Sequence, residues 1–264
     1  MADDFSARTR FRDVVVVGGG CYGTFYARQL LRARERGKLE FRRAILVDRD
    51  PACQAARELG ESPVRSLVIA EWGAFFDAWL AADADPLDAI VPSPLMPHLM
   101  FEWLLRQARR RWPGRDVEQV SLAAEAGTPY DMLAPDGTRY VSYADWLCPT
   151  HCIEPALCPM TRAPRTWEMS DAVRSLADRA GTLPDPVIFR CRHRAFGVGM
   201  FDVDEVLGGD ARVSAAGETG EPVDLLIGTV SSCHGAVSRI RLGPWTGTEP
   251  PGVLYLTEAG ARPA

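Results

Sequence analysis

Three cysteines fall within eleven residues, Cys148, Cys152 and Cys158, in a C-x3-C-x5-C spacing broken by Pro149, Pro155 and Pro159. Prolines at this density exclude a continuous helix. A wrapped loop lets neighbouring thiols turn toward one ion, whereas a strand would splay them to opposite faces. Three thiolates need one more ligand to close a tetrahedral zinc site, and four cysteines would equally hold an iron–sulfur cluster. Cys233 is the candidate fourth ligand, with His234, His193 and His151 as alternatives. The spacing matches neither a zinc ribbon nor a ferredoxin run, so it points to a metal without naming it. The competing reading is a covering loop with reduced, half-buried thiols. Cys191, inside an apolar run, reads as core.

A second constellation lies near the start. Gly18-Gly19-Gly20-Cys21-Tyr22-Gly23 fits G-x-G-x-x-G, directly after an apolar strand and before a helix. Gly18 permits the tight turn, Gly20 lets the backbone approach a pyrophosphate, and Gly23 lets the helix pack on the sheet. Free N–H groups at the helix start would bind the anion. Cys21 reads as packing beneath the cofactor. Asp48 ends the second strand, where its carboxylate would accept hydrogen bonds from both ribose hydroxyls and favour NAD. Arg49 keeps NADP open, since it would pair with a 2′-phosphate.

The elements that must position these groups alternate through the first part of the chain. Strands are expected at 13–17, 44–48, 67–69 and 88–91, with helices at 22–36, 51–59, 72–81 and from His98 onward. This is the pattern of a parallel sheet with right-handed crossovers. A fifth strand is expected at 117–122, a hairpin turn at Asp136-Gly137, a helix at 171–180, and later strands at 187–191 and 225–228. Residues 208–222 read as a loop and 243–252 as a turn-rich segment. The expected fold is therefore α/β, a Rossmann-type doubly wound parallel sheet with a Cys/Pro-rich insertion and an irregular C-terminal extension. It divides into a dinucleotide-binding unit at 1–125 and a remainder at 126–264 packed on the same sheet.

The segment Ala89-Ile90-Val91-Pro92-Ser93-Pro94-Leu95-Met96-Pro97-His98 ends a strand in a Ser-Pro pair with a histidine four residues after the proline. With the glycine loop and Asp48, it resembles the Gfo/Idh/MocA oxidoreductase family over residues 13–105. The resemblance implies that Gly18, Gly20, Gly23, Asp48, Ser93, Pro94 and His98 surround a nicotinamide dinucleotide. That family follows its fifth strand with Glu-Lys-Pro. Here 120–129 reads VSLAAEAGTP, and Lys38 is the only lysine in the chain. A proton donor would then come from His98, His193, His234 or a metal-bound water.

Composition narrows the classes. The chain has 264 residues, 47% hydrophobic and 25% charged, enough for a substantial core. A net charge of −5 argues against nucleic acid, and Arg109 to Arg111 read as a solvated helix end. No run reaches the ~18 apolar residues of a membrane span, and the first residues do not form a secretory signal. The expected compartment is cytoplasmic, where thiols stay reduced. The sequence thus predicts an NAD(P)-binding oxidoreductase-like protein with a zinc or iron–sulfur site beside its cofactor, acting on a small molecule or redox partner, with homo-oligomerisation open. The alternatives are a non-enzymatic metal- or redox-responsive protein or assembly factor, and a methyltransferase using the same glycine loop.

Overall fold

The computed structural model describes residues 9–149 and 152–246. The apolar run Arg10–Val17 forms β1, and the chain turns at Gly18 into α1 (Cys21–Glu35). β2 (Glu40–Asp48), α2 (Gln54–Glu58), β3 (Arg65–Ile69), α3 (Trp72–Ala82), β4 (Ala89–Val91) and α4 (Leu99–Arg111) follow. The four strands pair in parallel in the order β3-β2-β1-β4. Their near-continuous apolar sequences suit burial on both faces.

The second half is as regular as the first. It contains β5 (Arg115–Val120), the hairpin β6 (Tyr130–Leu133) and β7 (Arg139–Ser142), α5 (Met169–Ala180), β8 (Val187–Arg190) and β9 (Arg192–Ala195). β10 (Val198–Asp202), α6 (Val203–Glu218), β11 (Val223–Val230) and β12 (His234–Trp245) complete it. β10 joins the first sheet antiparallel to β4, and β9 lies antiparallel beyond it. The remaining strands form a second sheet, β6-β7-β12-β11-β8, in which β5 also pairs with β12. Among the described strands of that sheet, only β8 and β11 run parallel.

The fold is therefore mixed α/β, with two mixed sheets and six helices among the described residues. The expectation of one parallel sheet with an irregular extension is corrected in two places. The segment 208–222 is mostly helix α6, because its glycines serve close packing. A Cβ on Gly217 would lie 2.2 Å from the Trp112 ring, and one on Gly209 2.7 Å from Val187. β12 is long enough to pair with β11 on one edge and with β7 and then β5 on the other, so 117–122 contributes to the second sheet. Residue 125, the sequence-based division, falls between β5 and β6 of that sheet, while β9 and β10 extend the first.

The apolar side chains sort into three cores. One joins Val15, Val17, Ile45 and Val47 of the first sheet to Phe189, Ile227 and Ile240 of the second, with α3, α4 and α6 between. The opposite face of the first sheet packs on Leu30 and Ala27 of α1, and that of the second on Val173 and Leu176 of α5. No helix among the described residues is long and apolar enough to cross a membrane.

Candidate metal centre

The described residues of the cysteine segment between β7 and α5 form a loop, in keeping with its prolines. It is folded tightly by its own backbone: the Cys152 N–H donates to Pro149 O at 2.9 Å, Cys158 N–H to Ala163 O at 2.9 Å, and Arg165 N–H to Ala156 O at 2.7 Å. Glu154 and Arg162 hold left-handed backbones at φ 49° and 55°, a conformation that persists only where surrounding contacts fix it. For Glu154 those contacts are plain. Its carboxylate accepts the Ser231 hydroxyl at 2.6 Å, the Ser232 N–H at 2.9 Å and the Cys233 N–H at 3.2 Å. The same turn accepts Met169 N–H at Ser232 O and Tyr143 N–H at Cys233 O. Glu154 thus pins the cysteine loop onto the β11–β12 turn, which carries Cys233.

As a result Cys148, Cys152, Cys158 and Cys233 line one cavity of about 170 Å³, together with Glu154, Arg165, His193 and His234. N–H groups point at the sulfurs. The Glu154 N–H donates to Cys152 Sγ at 3.4 Å and Trp167 Nε1–H to Cys233 Sγ at 3.3 Å. The Thr161 N–H, followed in effect by its hydroxyl and the Met160 N–H, lowers the Cys158 pKa and favours its thiolate. Burial pushes the Cys233 thiol up to about 11, and burial with the neighbouring Cys152 raises Cys148. Burial also works against the Glu154 carboxylate, but the Ser231 hydroxyl, His193 and the two turn N–H groups hold its pKa below the usual value. Among the described residues no three Cys, His, Asp or Glu side chains are gathered tightly enough to hold an ion as they stand. The thiols line a cavity; a bound ion would have to draw them together.

A larger cavity, about 410 Å³, adjoins the first and shares Tyr26, His193, Ser231 and His234 with it. Ser93, Pro94 and Pro97 enter it from the loop after β4, and Tyr130, Tyr140, Ser142 and Thr229 from the second sheet. His193 sits on β9 opposite Gly199, where a Cβ would lie 2.7 Å from the imidazole. Burial lowers the pKa of both His193 and His234, against the pull of Glu154.

The glycine loop stands apart from both cavities. Gly18 has φ +88°, and a Cβ on Gly23 would meet Gly18 O at 1.7 Å. Gly20 is the exposed N-cap of α1, has nothing near its Cβ position, and is followed by the exposed Cys21. Tyr22 is half-buried. The thiol beneath the loop is Cys53, against Gly19, rather than Cys21. Asp48 accepts the Gly19 N–H at 2.6 Å and the Asp50 N–H at 2.9 Å. Arg49 is exposed and reaches Glu71 at 3.7 Å. His98 is buried at the start of α4, stacked on Phe101, with Nδ1 3.0 Å from Thr229 Oγ1. Burial pushes it down to about 3. His98 does not line either cavity, while Ser93 and Pro94 line the larger one. His151 lies outside the described residues.

Sequence reasoning singled out the four cysteines, His193 and His234, and passed over Glu154, Tyr26, Ser142, Thr229 and Ser231. An acidic residue between Cys152 and Pro155 was the available signal for Glu154. Nothing local marks the other four.

Residues 100–243, from α4 through most of β12, match a family model described as "Uncharacterized protein, C-terminal domain". The chain belongs to this AF_1314_C family. The matched span contains all four cysteines of the cavity and excludes the glycine loop. A relative from Archaeoglobus fulgidus, named "Uncharacterized protein", is 25% identical over 233 residues, covering 86% of this chain and 98% of its own length. No solved structure matches. These findings overturn the resemblance to Gfo/Idh/MocA oxidoreductases, since neither that family nor a Rossmann dinucleotide-binding family matches, and the family match falls on the C-terminal part instead. The residues that carried the resemblance have a local reason: the Ser93-Pro94 turn and His98 build the start of α4, where His98 packs on Thr229 and Phe101.

Proposed function

We propose that this protein binds one metal centre, zinc or an iron–sulfur cluster, through Cys148, Cys152, Cys158 and Cys233, and uses it beside a small-molecule cavity in oxidoreductase chemistry. The observation that carries this reading is the shared lining: four thiols from two distant segments face one cavity, which opens onto a second along Tyr26, His193, Ser231 and His234. N–H donors favour the thiolate, the form that binds metal, at Cys158, whereas burial favours the neutral thiol at Cys148 and Cys233. A fully closed four-cysteine site would be structural. Substitution of one thiolate by water or substrate would leave a reactive position.

The nucleotide half of the proposal rests on the order β3-β2-β1-β4, that of the first four strands of a Rossmann-type sheet. The N-terminus of α1 has no side-chain cap and no acidic residue in its first turn, and Gly20 has open space around it. These features suit the phosphates of NAD or NADP. Such a dinucleotide, when bound, supplies hydride chemistry. This chain's part would be to hold the phosphates at Gly18–Gly23 and the small molecule in the cavity after β4. Calorimetry with NAD and NADP on anaerobically purified protein tests it. The reading expects micromolar binding of one of them, weakened in Gly20→Val, and binding of neither would sink it.

Two observations favour a second reading, a metal- or redox-responsive protein without hydride transfer. Asp48 is already engaged by Gly19 and Asp50, and the ring of Trp72 covers Gly18.

A further inference from the structure

The larger cavity is lined by rings, hydroxyls and two imidazoles. None of its described lining residues is Asp, Glu, Lys or Arg. Nothing in that lining would neutralise a charged ligand, and burying an unpaired charge is strongly unfavourable.

Its hydrogen-bonding character is set by Ser142. The Ala144 N–H donates to Ser142 Oγ at 2.9 Å, and the same Oγ lies 2.8 Å from the Ala144 carbonyl and 2.8 Å from His234 Nδ1. A serine has one hydroxyl proton. The carbonyl has none to give, so the hydroxyl must donate to Ala144 O. The contact with His234 is then satisfied only if Nδ1 carries the imidazole proton and donates to Oγ. That leaves His234 Nε2 with a free lone pair. A histidine whose tautomer is fixed through one nitrogen presents the other as an acceptor. Close by, His193 Nδ1 is buried without a hydrogen-bond partner among the described residues. Buried polar atoms left in this state point to a missing partner, and His193 borders the same cavity.

We infer that the larger cavity binds an uncharged, flat small molecule that donates an O–H or N–H to His234 Nε2. The inference rests on the proposed placement of the substrate in this cavity and names its class. Tyr26, Tyr130 and Tyr140 contribute aromatic rings to the lining. The cavity volume is within the range of small-molecule sites.

Two measurements on the purified protein, with its metal content determined on the same sample, test the inference. Long-range ¹⁵N NMR should report His234 as the Nδ1–H tautomer, and an Nε2–H tautomer would overturn the inference. Titrations with phenol, anisole and benzoate should rank phenol first by about tenfold, the worth of one good hydrogen bond. Anisole has no donor and benzoate carries a charge. His234→Phe should erase the preference for phenol over anisole, and Ser142→Ala should reduce it. Equal binding of phenol and anisole, or tighter binding of benzoate, would overturn it, and neither result requires a variant to fold. A phenol preference in metal-free protein would leave this inference standing while removing the metal centre; a metal-loaded protein without that preference would do the reverse.

Discussion

The glycine loop and the cysteine loop are both sharp turns bearing unusual residues, yet they are held in opposite ways. The glycine loop is built by its neighbours in sequence. Gly23 must lack a side chain because Gly18 O would sit 1.7 Å from its Cβ, and the adjoining strand and helix fix the rest. The cysteine loop takes its shape from afar. Glu154 reaches across to Ser231, Ser232 and Cys233, and Trp167 reaches Cys233. Local steric necessity gives a rigid loop without need of a ligand. The cysteine loop depends on one distant carboxylate to bring four cysteines to the lining of one cavity.

The comparison predicts unequal responses to small changes. Gly23→Ala should be the most damaging, with a loss on the order of 4 kcal/mol or failure to fold, read from chemical denaturation. A mild effect would mean that the turn can yield and that the glycine loop is not sterically fixed. Glu154→Gln removes the charge behind three hydrogen bonds and should cost roughly 2 kcal/mol. It should also expose the cysteine thiols, so that their labelling by a thiol reagent accelerates while the glycine loop keeps its slow amide exchange. Equal labelling rates in Glu154→Gln and the parent protein would show that the cysteine loop is self-supporting after all.

His98 lies at the seam between the two regions, joining α4 to Thr229 of β11. Burial places its pKa near about 3, against 6.5 for the free side chain. The unfolded chain therefore binds more protons between those values, and the stability present above pH 6.5 is progressively lost as pH falls toward 3. From pH 7 to pH 5 the contribution should fall by about 2 kcal/mol, and His98→Asn should flatten that part of the stability–pH curve. The smallest effect belongs to Gly20→Ala, where open space predicts a change under about 1 kcal/mol. Its effect on stability should thus be far below that of Gly23→Ala, three residues away.

The same contrast explains what the sequence made legible. Strands β1 to β4, helix α1 and the glycine turn follow from apolar runs and residues with few conformational options, so they could be read locally. The cysteine spacing announced a loop, and Cys233 lines the same cavity as the cysteines of that loop. Glu154 was not legible, because its partners lie 77 to 79 residues away and nothing local distinguishes a latch from a solvated acid. α6 was misread because Gly208, Gly209 and Gly217 suggest a loop, whereas two of them sit where a side chain would strike Val187 or Trp112. His98 misled for a related reason: its position after Ser93-Pro94 suggests a cofactor contact, and its burial against Thr229 is visible only once both sheets are assembled.

Whether Cys148, Cys152, Cys158 and Cys233 hold one metal is read from elemental analysis and a visible spectrum of anaerobically purified protein, set beside Cys233→Ser. Stoichiometric zinc or a brown iron–sulfur chromophore is expected in the parent protein, lost in Cys233→Ser although that residue lies 75 positions beyond Cys158. A parent protein without metal, or metal content unchanged by Cys233→Ser, would contradict it.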